Sequence, residues 1–258
     1  MGDLGTRIST LCLAALLALG QLPLPAATPA EPNLPAEPPS ATTPAPEPEP
    51  PPSRPEPGTG ALQDVYPSDW FFPYVAIGAL HGFIQGNDGV FAPNRAATRA
   101  EFVTMLARMH QALGGHLGAP LDHPPFVDVS PDHFSAPYLA WAFEIEAVHP
   151  NAEGQFRPGA SISREEVAAM VAHYLEFYGL DDLFETAYED HGLYADWEEI
   201  APWALYGAHF LWNANLMHGT QAEDDSVYFH PRAEIYRREV FAIIGRVFQA
   251  IPIAEVEV

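Results

Sequence analysis

Lysine is absent from all 258 residues, and the positive charge rests on 11 arginines set against 34 acids. The net charge of −23 argues against nucleic acid and anionic membrane surfaces as partners, because the field of the molecule repels both. Cysteine occurs once, as Cys12, inside a segment expected to be removed. The mature chain is then left without a disulfide, a thiolate metal site or a cysteine nucleophile. Long apolar runs are also missing. The run from Leu11 to Leu19 is too short to span a bilayer. With Arg7 ahead of it and small and proline residues up to Ala27 behind it, it reads as a secretory signal peptide over residues 1–27.

Proline is abundant in one place. From Thr28 to Pro57, 13 of 30 residues are proline, mixed with Glu, Ala, Ser and Thr. Such a stretch has too little apolar surface to fold and favours extended polyproline II. Residues 28–60 are therefore expected to form a disordered acidic spacer, reaching roughly 90 Å at about 3.1 Å per residue.

The rest of the chain repeats itself. "FAPNRAATRAEFVTML" (Phe91–Leu106), "FRPGASISREEVAAMV" (Phe156–Val171) and "FHPRAEIYRREVFAII" (Phe229–Ile244) align without a gap. Each carries Phe-x-Pro, then Arg99, Arg164 or Arg237, then a glutamate two residues later. The apolar positions Phe102/Met105/Leu106/Met109, Val167/Met170/Val171/Tyr174 and Val240/Ile243/Ile244/Val247 follow i, i+3, i+4, i+7, one face of a helix. Thr98 with Glu101, and Ser163 with Glu166, have capping-box spacing. Tyr236 stands in the third capping position and lacks a comparable hydroxyl.

Upstream of each capped helix, Pro73-Tyr74, Pro137-Tyr138 and Pro202-Trp203 announce a second helix, since proline suits a first helical turn. Asp64, Asp128 and Asp190 precede these, so three units are expected, at residues 61–118, 119–182 and 183–252. The third diverges: 27 residues separate its proline from its phenylalanine, against 18 and 19, which suggests roughly eight extra loop residues.

An arginine at the first helical position opposes the helix dipole by roughly 0.3–1 kcal/mol. An exposed ion pair would offset little of that, at about 0–1 kcal/mol. Three copies in register point instead to an anion site, in which the guanidinium fork and free N-terminal amides share a carboxylate.

Other chemistry is poorly supported. The histidines show no metal-ligand spacing, and "AEDD" at Ala222–Asp225 reads as solvated loop acids rather than a Ca²⁺ site. Glu165/Glu166 and Glu198/Glu199 are adjacent pairs, which cannot face each other as the acid and base of glycoside hydrolysis. No cofactor and no enzymatic activity are expected.

The aspartate, the Pro-aromatic helix, the loop with Gly82, Gly86, Asn87, Asp88 and Gly89, Phe-x-Pro and then "TRAE" together resemble the S-layer homology domain. The resemblance implies a mainly α fold: three tandem helix-loop-helix repeats in a pseudo-threefold arrangement, with a central helical bundle and grooves between repeats. It implies a non-catalytic cell-envelope anchor, binding pyruvylated secondary cell-wall polysaccharide or modified peptidoglycan at the cell surface, cell wall or S-layer. Arg99, Arg164 and Arg237 would meet the sugar carboxylate. Asp64, Asp128 and Asp190 would accept sugar hydroxyls or order the entry loops, and Trp70 would stack on a ring or join the core. Tyr236 and Arg238 put the third site in doubt. The alternative is a structural envelope protein whose repeats serve protein–protein assembly, with other envelope proteins as partners.

Overall fold

The computed structural model describes residues 62–118, 125–184 and 194–252. The expected signal peptide and spacer, and Asp190, lie outside these residues. The fold is mainly α, with three short helices and three long ones among the described residues. The short helices are α1 (Phe72–Leu80), α3 (Ala136–Glu144) and α5 (Leu205–Asn213); the long ones are α2 (Arg99–Ala112), α4 (Arg164–Phe177) and α6 (Arg237–Ala250). A two-stranded antiparallel hairpin, β1 (Thr220–Gln221) and β2 (Val227–Tyr228), enlarges the loop between α5 and α6.

Each long helix starts where its cap dictates. The amide of Glu101 donates to Thr98 Oγ1 at 3.2 Å, and the amide of Thr98 donates back to Glu101 Oε2 at 3.0 Å. Ser163 and Glu166 repeat the exchange at 3.3 and 2.8 Å. At α6 the Glu239 carboxylate still takes the Tyr236 amide at 2.8 Å, while the Glu239 amide turns to the Tyr236 carbonyl at 2.9 Å. Backbone thus stands in for the missing hydroxyl. All twelve residues of the helical apolar faces named above are buried.

The most extensive packing of each long helix on a short one crosses a segment boundary. There α2 packs on α3, α4 on α5, and α6 on α1, so the contacts run in a closed cycle. Two glycines allow the approach: a Cβ on Gly207 of α5 would lie 2.6 Å from the Ala168 carbonyl of α4, and one on Gly245 of α6 would lie 2.7 Å from Tyr74 of α1. The residues leading into the long helices close a second, smaller ring of backbone bridges, Thr98 with Ser161, Ser163 with Glu234, and Ala96 with Tyr236.

The third segment departs from its sequence alignment. Pro73 and Pro137 hold the second position of α1 and α3, but in α5 that position is Tyr206. Pro202 and Trp203 lie in the turn ahead, four residues too early. The helix register is fixed by its end, where Gly82, Glu146 and Asn215 each take a left-handed backbone (φ 76°, 60° and 58°) two residues after α1, α3 and α5. From that residue to Phe91, Phe156 and Phe229 the distance is nine, ten and fourteen residues. The true insertion is therefore four or five residues, and the hairpin accounts for it.

Asp190 lies outside the described residues, and an aspartate turn recurs in all three segments. Both oxygens of Asp64 accept amides at 2.7 Å, from Phe91 and Ala92, and Asp128 does the same for Phe156 and Arg157 at 2.8 and 2.7 Å. In the third segment it is Asp196 that takes the amides of Phe229 and His230, both at 2.7 Å. The second amide in each pair belongs to a residue with positive φ: Ala92 at 55°, Arg157 at 63° and His230 at 56°. A left-handed turn in a non-glycine residue is unfavourable by roughly 1–2 kcal/mol, and the paired carboxylate bonds offset it.

Candidate binding clefts

The three helix-start arginines act across segment boundaries. Arg99 donates Nε–H to the carbonyl of Phe156 at 2.8 Å, Arg164 to Phe229 at 2.7 Å, and Arg237 to Phe91 at 2.8 Å. Each guanidinium also lies over the ring of the phenylalanine whose carbonyl it holds, 4.5, 5.4 and 5.2 Å from the centroid. Arg99 pairs with Glu166, and Arg237 Nη1 reaches Glu101 Oε1 at 3.1 Å. Arg164 Nη2 instead donates to the His218 carbonyl at 2.7 Å. Burial lowers the pKa of all three arginines, and nearby acids partly counter it: Glu166 at Arg99, Glu239 at Arg164 and Glu101 at Arg237.

The helix N-terminal amides are not free, contrary to the expectation of an anion site built on them. Arg99 and Ala100 donate to the Ala160 and Pro158 carbonyls at 2.9 and 3.1 Å. Arg164 and Glu165 donate to Ala233 and Pro231, both at 3.0 Å. Arg237 and Arg238 donate to Arg95 and Pro93 at 2.9 and 3.2 Å. A neighbouring segment therefore takes the donors that a ligand would need. What remains for a ligand is the unused edge of the guanidinium groups.

Two clefts expose such edges. One, of about 700 Å³, runs along α2 and contains Arg237, Arg95, Arg108, Thr104 and Phe134. The other, of about 510 Å³, runs along α4 and contains Arg99, Glu166, His149, His173 and Trp203. Each is assembled from three segments: a long helix with its loop, the entry to the following short helix, and the arginine of the remaining segment. Arg99 and Arg237 thus stand at clefts, while Arg164 is not part of either.

The remaining candidates are distributed unevenly. Asp64 and Asp128 are occupied with backbone amides, although each carboxylate keeps unused lone pairs. Trp70 is 55% exposed, its edge against Phe71, and lies outside both clefts. Phe134, three residues before Pro137 as Trp70 is before Pro73, does line the α2 cleft and is 58% exposed.

Sequence reasoning passed over Arg108 and Arg246. Both lie nine residues after a helix-start arginine, a spacing the repeat itself could have flagged. Arg108 donates to Tyr138 Oη at 3.2 Å and to Gln85 Oε1 at 3.1 Å, and Arg246 donates to Tyr74 Oη at 3.2 Å and to the Leu216 carbonyl at 3.0 Å. Each cation packs on the tyrosine it bonds. In α4 the same position is His173, bonded to the Ile145 carbonyl at 2.7 Å.

Residues 63–103 and 125–168 match the S-layer homology domain, each stretch running from the entry aspartate into the capped helix. These two segments are S-layer homology domains. An endoglucanase of Bacillus sp. (strain KSM-635) is 28% identical over 185 residues, a match that takes in 71% of this chain and 18% of that protein. The chain therefore corresponds to under a fifth of the relative's length. An S-layer homology domain is a binding module, and its presence indicates a cell-surface anchoring module. Among the described residues no helix is long and apolar enough to cross a membrane, and no group of three or more His, Asp or Glu could hold a metal ion.

Proposed function

We propose that the chain is a secreted, non-catalytic anchor of three S-layer homology repeats, held to the cell envelope by carbohydrate. Its ligand is an acidic wall glycan, either secondary cell-wall polysaccharide with pyruvyl groups or modified peptidoglycan. The observation that carries the reading is the construction of the clefts. Each contains a guanidinium from one segment beside an exposed aromatic ring from another, Arg237 with Phe134 and Arg99 with Trp203. A carboxylate on a sugar needs such a fork, and a sugar ring needs a flat apolar face. The third segment, outside the matched residues, repeats the same arginine clamp and aspartate turn through Arg237 and Asp196.

The strong negative charge of the chain opposes an anionic polymer at long range, so attraction is confined to the clefts and affinity per cleft is modest. Two clefts on one chain, engaging one polymer, raise the total by multivalency. Co-sedimentation of the full chain with isolated cell walls tests this. Retention on pyruvylated walls that falls several-fold on walls stripped of pyruvyl groups supports the anchor. Retention by another envelope protein after the glycan is removed favours the assembly role instead.

A further inference from the structure

The described chain begins at the wall of the α2 cleft. Leu62 is buried against the loop that precedes Phe91: a Cβ on Gly86 would lie 2.5 Å from its side chain, and the Gln63 amide donates to the Gly89 carbonyl at 2.7 Å. The same loop forms one side of the cleft, where Gln85 Oε1 accepts from Arg108 at 3.1 Å. Whatever precedes Leu62 therefore starts beside this cleft.

The charge here is unusual for so acidic a molecule. Ten arginines follow residue 27, and three of them, Arg95, Arg108 and Arg237, line the cleft against Asp88 and Glu101. Glu101 is taken by Arg95 and Arg237. Arg108 bonds only neutral partners among the described residues, Tyr138 and Gln85. The exposed ring of Phe134 completes the lining. The α4 cleft is the reverse, with Arg99 set against Glu146, Glu166 and Glu176 and already paired with Glu166.

The segment ahead of Leu62 has the complementary chemistry. Residues 28–60 hold five glutamates and one arginine, Arg54. Within them "PEPEPPP", residues 46–52, carries Glu47 and Glu49 and no cation. Proline-rich segments dock by laying proline rings on aromatic faces, and they lose little entropy because proline already restricts the backbone. A carboxylate suits a guanidinium that lacks an acidic partner. Nine residues, 53–61, connect this stretch to Leu62, enough to reach roughly 30 Å. Gly58 and Gly60 allow the connection to turn back.

We infer that residues 46–52 dock in the α2 cleft of their own chain, with a carboxylate of Glu47 or Glu49 on Arg108 and proline rings on Phe134. Tethering makes a weak contact sufficient, since a short flexible connection gives an effective concentration of order 1 mM. The molecule thereby carries its own competitor for that cleft, and a wall glycan enters only by displacing it. The displacement rests on the glycan-binding reading above; the docking does not. The α4 cleft repels the same acidic segment and stays accessible.

Paramagnetic relaxation in the full chain tests the docking, with a nitroxide attached through Ala45→Cys in a Cys12→Ser background. Expected is a fall to under about half intensity at the amides of residues 108 and 134, with His173 and Trp203 of the α4 cleft unchanged. Arg108→Gln restores the Phe134 signal. So does Glu47→Gln combined with Glu49→Gln, a change that leaves every described residue intact. Broadening that merely follows distance from Leu62, or that survives both variants, overturns the inference. Broadening of an unlabelled, isotope-enriched copy by a nitroxide-bearing one also overturns it, since the segment then sits on a neighbouring molecule.

Pyruvylated wall fragments test the competition. Saturating fragment is expected to restore the Phe134 signal, and the double glutamate variant to bind fragment about twofold more tightly or better. A signal still broadened at saturation overturns the competition. Wall retention without any relaxation effect removes the docking and leaves the anchor. Relaxation as expected, with no wall retention in either the full chain or the double variant, removes the anchor and leaves the docking.

Discussion

Arg237 holds the carbonyl of Phe91 from 146 residues away, and its side chain is only 9% exposed. This bond joins the last segment to the first and shares Glu101 with Arg95. Removing a buried, hydrogen-bonded cation partner is strongly destabilising. Arg237→Ala is expected to lower stability by about 3 kcal/mol in urea unfolding. Arg237→Lys rescues little, because an ammonium cannot hold the carbonyl and the carboxylate from one plane. Arg95→Ala, at a 48% exposed side chain, changes stability by no more than about 1 kcal/mol.

His110 is 1% exposed, enclosed by Trp141, Tyr174 and Tyr178 where α2 meets α3 and α4. Burial lowers its pKa to about 4, from 6.5 in the unfolded chain. Between those values the unfolded state binds the proton and the folded state does not, so stability falls as pH drops from 6.5 toward 4. At 1.36 kcal/mol per unit the total is about 3 kcal/mol. His110→Phe should flatten this part of the pH profile, measured by urea midpoints at pH 7 and pH 4.5.

Asp196 is expected to matter as Asp64 and Asp128 do. Asp196→Asn places an amide NH₂ against one of two backbone donors, Phe229 or His230, and the left-handed His230 loses part of its support. The expected loss is about 2–3 kcal/mol by thermal or urea denaturation, with Asp64→Asn and Asp128→Asn falling in the same range.

Glu146 adopts φ 60° where the first segment has Gly82 at 76°. Glu146→Gly relieves roughly 1–2 kcal/mol of backbone strain and gives part of it back through unfolded-state entropy. A net gain of about 0.5–1 kcal/mol is expected. The same change removes one carboxylate from the α4 cleft.

Much of this was legible in the chain itself. The capped long helices followed from Thr98, Glu101, Ser163 and Glu166 and from an apolar period of 3.6, which are local signals. The third segment misled because Pro202-Trp203 is a good local helix start that another turn overrides, and because Asp190 stands in a motif-like setting while Asp196 lies in an unremarkable "ADW". Register there depends on Asn215 and on packing of α5 against α4, neither of which has a local signature. Repetition singled out the helix-start arginines, but the carbonyls that take the adjacent amides lie 58 to 145 residues away. Arg108 stood out only through the cleft whose lining it shares with Phe134 and Arg237.

The cyclic order of helix contacts has a consequence for evolution and engineering. A linear solenoid has end units and can lose or gain one at modest penalty. Here no unit is terminal, since excising any one strips α1, α3 or α5 of its long partner and leaves an arginine without its phenylalanine carbonyl. Copy number is thereby locked, and melting should be a single cooperative event rather than a stepwise fraying.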